Sequence, residues 1–80
     1  MKDLGKTIAK HRKDHKLKQS QLAIKLEKYN IYVKPNTVSA WESGLSQPNS
    51  RQFLAICELL DIHDFILNLL GKILITHSVI

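Results

Sequence analysis

The stretch Lys34-Pro35-Asn36-Thr37-Val38-Ser39-Ala40-Trp41-Glu42-Ser43-Gly44 decides the fold. Pro35 suits the first position of a helix, where its missing N–H costs nothing, and Gly44 suits the left-handed residue that stops one. Between them, at about 100° per residue, Val38, Trp41 and Leu45 fall on one side and Asn36, Ser39, Ala40 and Ser43 on the other. The outer strip is small, polar and uncharged. A helix anchored by tryptophan behind such a strip can lie against another macromolecule; it can equally be a surface helix of a small bundle. The flanking sequence has to choose.

Upstream, Ile31, Tyr32 and Val33 favour an extended path, and the residue before Pro35 is pushed away from helix. Glu27 to Lys34 therefore reads as a long connection that tucks Ile31 or Val33 onto the core. Lys28 and Tyr29 can lengthen the preceding helix by a turn, with Asn30 as its left-handed terminator. That preceding helix starts near Gln19 and turns Leu22, Ala23 and Leu26 inward; Ala23 is small enough for another helix to cross closely above it. Before it, Leu4, Ile8, His11, Arg12 and His15 recur at three- and four-residue spacing, which predicts a helix over 4–15 with lysines outside and Leu17 closing the core after it.

Downstream, Leu45-Ser46-Gln47-Pro48-Asn49 is rich in turn formers. Ser50 is the expected N-cap of a fourth helix, Arg51 to Leu60, with Phe53, Ile56, Cys57 and Leu60 inward and Leu54 and Leu59 widening that stripe. After Asp61-Ile62-His63-Asp64 breaks the pattern, Asp64 caps an expected fifth helix, Phe65 to Leu70, ended by Gly71. The tail Lys72 to Ile80 is unusually apolar. The expected fold is all-α, five helices in one domain over 1–71, with 72–80 as a tail available for dimer formation.

Eighty residues allow one domain with a core near the lower limit for independent stability. Twelve Lys and Arg against seven Asp and Glu give a net charge of +5 and a pI near 9.6, which favours a polyanionic partner, nucleic acid or an acidic membrane surface. The charge is uneven: beyond Gly44 the only basic residues besides histidine are Arg51 and Lys72. A basic first half thus precedes an apolar, packing half. Cys57 is the single cysteine, so no intrachain disulfide can form, and its apolar surroundings make it a buried structural thiol. The lysine-rich amino terminus lacks an apolar signal core, and the apolar stretch Phe65 to Ile75 is interrupted by Asn68 and Lys72 and too short to span a bilayer, so the expected setting is soluble and intracellular, with no membrane partner.

Gln19-Ser20-Gln21-Leu22-Ala23, then Asn36 to Gly44, then Pro48, then Phe53-Leu54-Ala55-Ile56-Cys57 with Leu60 and Ile62, together resemble the phage-repressor and Cro-like (XRE-type) helix-turn-helix family of transcriptional regulators. The similarity runs from about Leu4 to Gly71. It implies a sequence-specific, repressor-like regulator, cytoplasmic and bacterial or phage-encoded, whose second and third helices form the helix-turn-helix and whose third helix, about 35–43, lies in the major groove of double-stranded DNA. By the same resemblance Gln19 holds a phosphate at the start of the second helix, a site where amide donors and free N–H groups suit an anion. Lys34, Asn36, Ser39 and Ala40 fall where relatives read bases: Asn36 suits adenine, Lys34 guanine or a phosphate, and Ala40 a thymine methyl. Thr37, Ser43, Gln47 and Arg51 fall at phosphate-contacting positions. Lys18 replaces the usual Ser or Thr cap and adds a phosphate-seeking charge. Arg12 and Glu42 match positions that pair inside relatives, tying the first helix to the end of the third. Such repressors bind inverted-repeat operators as homodimers, and Phe65, Ile66, Leu69, Leu70, Ile73 and Ile75 offer a seam, with Ile73 and Ile75 the residues expected to meet another chain.

Two departures stand out. About five extra residues separate Leu26 from Thr37, judged against common turn lengths, and Pro35 removes a base contact that some relatives make.

Other chemistries find little support. No phosphate-binding glycine loop, nucleophile elbow or paired acid and base appears, so no enzyme and no cofactor are expected. His11 and His15 have metal-ligand spacing on a helix, yet no Cys or carboxylate cluster joins them, and no metal is expected. The competing reading is a protein-interaction or antitoxin-type module on the same fold, working through its apolar C-terminal half.

Overall fold

The computed structural model describes residues 4–62, and these form four helices with no strand among them: α1 Leu4–Asp14, α2 Gln19–Leu26, α3 Pro35–Ser43 and α4 Ser50–Leu59. A single 3-10 turn, Glu27–Tyr29, prolongs α2, as Lys28 and Tyr29 allowed. The expected helix over 65–70, the seam residues and the tail over 72–80 lie outside the described residues.

Each helix contributes a stripe at three- and four-residue spacing, the geometry that puts side chains on one face. Leu4 and Ile8 come from α1, Leu22, Ala23 and Leu26 from α2, Val38 and Trp41 from α3, and Ala55, Ile56 and Cys57 from α4, joined by Leu60 and Ile62. Each fully buried leucine or isoleucine contributes about 1.5–3 kcal/mol relative to exposure. Leu17, Val33, Phe53 and Leu59 pack partly buried against this core, and of the two candidates in the long connection Ile31 is the one fully buried. α3 packs on both α1 and α2, and α2 also packs on α4. Cys57 is buried, and burial pushes its thiol above the usual cysteine value, as suits a structural residue.

One device ends all four helices. Lys16, Asn30, Gly44 and Asp61 are left-handed, at φ 58°, 60°, 84° and 53°. The residue after each donates its N–H to the carbonyl five residues back: Leu17 to Arg12 at 3.1 Å, Ile31 to Leu26 at 3.2 Å, Leu45 to Ala40 at 2.9 Å and Ile62 to Cys57 at 2.9 Å. This is the Schellman arrangement, which satisfies carbonyls that a helix end would otherwise orphan. Three of the four donors, Leu17, Ile31 and Ile62, then turn inward onto the core. Leu45 does not.

Leu45 is 85% exposed, which corrects its expected place on the buried side of α3. The left-handed Gly44 swings the chain off the helix axis, so the 100° wheel no longer applies one residue later. Leu54 is a second correction: at 57% exposure it faces outward, one step round α4 from the stripe that Ala55, Ile56 and Cys57 fill. The cap of α4 is Asn49 rather than Ser50. Asn49 Oδ1 accepts from Gln52 N and Gln52 Oε1 accepts from Asn49 N, both at 2.8 Å, a complete capping box that Ser50 cannot form from inside the helix.

His15, just past α1, ties that end to the end of α4. Its Nδ1 lies 2.8 Å from His11 O and its Nε2 3.1 Å from Asp61 Oδ2. Both ring nitrogens therefore face acceptors, and the imidazole is held above its usual value by the His11 carbonyl first and by Asp61 next.

Candidate nucleic-acid interface

The C-terminal end of α3 is locked. Arg12 rises from the buried side of α1, and its guanidinium meets Glu42 in a two-pronged pair, Nε to Oε2 at 2.6 Å and Nη2 to Oε1 at 3.0 Å. Both side chains are about nine-tenths removed from solvent, at 10% and 8% exposure. Gln19 Nε2 adds a third hydrogen bond, 3.0 Å to Glu42 Oε1, and Arg12 Nη1 donates to Leu17 O at 2.8 Å. Burial alone would raise the Glu42 carboxyl. The hydrogen bonds from Arg12 and Gln19, with the charges of Arg12 and Lys13, outweigh burial and hold it below the usual carboxylate range. Among the described residues no buried side-chain nitrogen or oxygen lacks a partner, so no unmade hydrogen bond adds to the desolvation cost of the pair.

Gly5, whose role the sequence did not suggest, completes the lock. A Cβ there would stand 2.5 Å from Trp41 O and 2.6 Å from Glu42 O, so α1 approaches α3 as closely as it does only because residue 5 has no side chain. A glycine inside the first turn of an otherwise helical pattern was the available signal.

The N-terminal end of α3 is open. Lys34 stands at the cap position with extended backbone, φ −93° and ψ 159°, and gives no side-chain cap; Pro35 follows as the first helical residue. Lys18 begins α2 in the same manner, its own N–H held by Gln21 Oε1 at 2.7 Å, since an ammonium cannot accept a hydrogen bond. Neither helix has an acidic residue in its first turn. The dipoles of α2 and α3 thus present positive ends with no acidic side chain in the first turn and a lysine beside each, whereas α4 closes its own start with Asn49.

Along α3, Asn36, Ser39 and Ser43 are exposed and Thr37 and Ala40 half-buried, while Val38 and Trp41 hold the other side at 0% and 3% exposure. Ser43 Oγ donates to Ala40 O at 3.2 Å. Lys34, Lys18 and Gln47 are exposed. Two candidate phosphate residues carry internal duties as well. Gln19 is half-buried, with one Nε2 hydrogen on Glu42 and a second still to donate. Arg51 is exposed, and its Nη2 donates to Tyr29 O at 2.9 Å, which clamps the long α2–α3 connection to α4. Sequence spacing shows neither partner, because both lie more than twenty residues away along the chain.

Both nitrogens of the His15 ring are engaged, by the His11 carbonyl and by Asp61. Among the described residues no three His, Cys, Asp or Glu side chains gather as a metal would require, and no helix is long and apolar enough to cross a membrane.

Comparison with curated proteins and with solved structures returns no match. The family model described as Helix-turn-helix matches residues 8–67, which takes in α2, the long connection and α3 and most of the 80-residue chain. With the all-helical architecture, the internal Arg12–Glu42 pair and the exposed polar strip of α3, the chain belongs to the XRE-type, Cro/C1-like helix-turn-helix family of DNA-binding regulators.

Proposed function

We propose that the chain is a sequence-specific, repressor-like transcriptional regulator that lays α3 in the major groove of double-stranded DNA, with residues 1–71 as the DNA-binding domain. The observation that carries this reading is the asymmetry of α3: its far end is locked to α1 and α2 through Glu42, while its near end is open, uncapped and basic, with Asn36 and Ser39 exposed beside it. A helix held at one end presents the other in a fixed direction, as base readout needs.

In this reading Asn36 pairs with adenine, Lys34 reaches guanine or a phosphate, and Ser39 and Ala40 complete the base contacts. Lys18, Gln19, Thr37, Ser43, Gln47 and Arg51 hold phosphates. The partner is an inverted-repeat operator bound by a homodimer joined through the apolar C-terminal residues, with Ile73 and Ile75 at the seam. The competing reading, a protein-interaction or antitoxin-type module working through its apolar C-terminal half, draws on the exposed Leu45 and Leu54.

Selection of preferred duplexes from a random pool at two salt concentrations separates the two. A DNA regulator enriches a sequence and weakens steeply as salt rises, whereas an apolar protein interface hardly responds to salt. Asn36→Ala is expected to relax base preference at one position by roughly 1–3 kcal/mol. An unchanged preferred sequence in Asn36→Ala sinks the assignment of the reading face.

A further inference from the structure

The extra residues between α2 and α3 form an anchored segment. Asn30 ends the 3-10 turn left-handed, and Ile31 N–H returns to Leu26 O. Arg51 Nη2 holds the Tyr29 carbonyl from α4 at 2.9 Å. Burial then alternates with the period of an extended chain: Ile31 is 5% exposed, Tyr32 73%, Val33 half-buried and Lys34 exposed. Ile31 and Val33 pack on the core, so Tyr32 and Lys34 project together from the opposite side, their Cα atoms roughly 6–7 Å apart. Exposed surface continues without a break from Lys34 through Pro35 to Asn36.

At 73% exposure Tyr32 holds its hydroxyl clear of the core. Its neighbourhood favours an anion. Lys28 and Lys34 flank it in sequence, both exposed, and no acidic residue occurs from Lys28 to Trp41. The phenol hydroxyl is one of the side-chain donors that suit phosphate oxygens. Because the segment is fixed from behind by Ile31, Val33 and Arg51, little ordering cost attends its use.

We propose that Tyr32 donates its hydroxyl to a phosphate of the DNA backbone flanking the bases read by α3, with Lys34 beside it, so that the lengthened α2–α3 connection is a second, sequence-independent arm of the interface. The inference rests on the reading of α3 given above and deepens it. It also gives the lengthened connection a purpose: the added chain holds Tyr32 exposed, two residues before Lys34.

The test is Tyr32→Phe in the full chain, measured on the duplex that the wild-type protein selects. A neutral hydroxyl releases no counterion, so affinity is expected to fall roughly tenfold on every duplex while the salt dependence stays unchanged. In a scan of single methylphosphonate substitutions across the half-site, one position is expected to weaken the wild type and leave Tyr32→Phe unaffected. At 73% exposure the substitution leaves the fold intact, and an unchanged thermal midpoint is expected. Wild-type affinity in Tyr32→Phe overturns the proposal, and so does a change in base preference, which would make Tyr32 a base reader. If Asn36→Ala still relaxes base preference in the same experiments, the reading of α3 stands although the proposal about Tyr32 has failed. If the wild-type chain prefers no duplex at all, both fall.

Discussion

The two ends of α3 are built on opposite principles. At the C-terminal end Glu42 accepts three hydrogen bonds from two other helices, Gly5 lets α1 rest against the backbone, and Gly44 closes the last turn. At the N-terminal end Lys34 offers no cap, Pro35 contributes no donor, and Asn36 lies in solvent. Nine residues separate a region fixed by charge, hydrogen bonds and close packing from one that no side chain caps. Stability is concentrated where the helix is held, and open binding capacity where it is presented.

The sharpest way to break this contrast is to cut the lock. Glu42→Ala leaves the Arg12 guanidinium buried without its partner and is expected to cost about 3 kcal/mol in urea unfolding, with Arg12→Ala similar. The double variant should lose clearly less than the sum, because the two side chains form one unit; additive losses would show that no such unit exists. The pH dependence carries the same signature. The Glu42 carboxyl is depressed in the folded chain, so its contribution is complete above the ordinary carboxylate range and is lost as pH falls through the depressed value. Unfolding midpoints should therefore drop more steeply below about pH 4 in the wild type than in Glu42→Gln.

A smaller loss tests the packing half of the lock. Gly5→Ala drives a methyl into the carbonyls of Trp41 and Glu42, both backbone atoms that cannot swing aside. Separation of α1 from α3 should cost about 2 kcal/mol, despite alanine being the better helix former. A stabilised Gly5→Ala in urea unfolding would mean that the close approach is not needed.

The smallest effect has the opposite sign and belongs to the open end. Lys34→Ser supplies the missing cap, so thermal unfolding should show a gain of about 0.5–1 kcal/mol. DNA affinity measured on the same preparation should fall, since a charge beside the bases is gone. A variant that gains in both would refute the division of labour between the two ends.

Much of this was legible in the sequence because it is locally encoded. Pro35, Gly44 and Asn30 act within a turn of themselves, and the structure gives each the backbone its chemistry requires. Leu4, Ile8 and Arg12 in α1, the stripe of α2, and Val38 and Trp41 in α3 follow from helical spacing, whereas His15, expected in the first stripe, is exposed just past the end of α1. The Arg12–Glu42 pair became legible through family resemblance, since thirty residues separate its members. What stayed hidden depends on where helices cross. Nothing near Gly5 announces that Trp41 and Glu42 will lie above it, and nothing near Arg51 announces the Tyr29 carbonyl. Leu45 and Leu54 depart from the sequence expectation for simpler reasons. A helical wheel does not survive a left-handed residue, and an apolar side chain beside a buried stripe does not have to join it.

The left-handed stops at Lys16, Asn30 and Asp61 have a consequence for how the chain folds. In each, the residue that ends the helix by hydrogen bonding is the same one that enters the core: Leu17, Ile31 or Ile62. Helix termination and hydrophobic docking are thus a single event that spans only six residues of chain. The conformational search divides into short local closures, each of which reports success by burying one side chain. Loop-closure entropy is met in small steps, and such a topology belongs with the rapidly folding helical domains, for which assembly is limited by a few helix dockings.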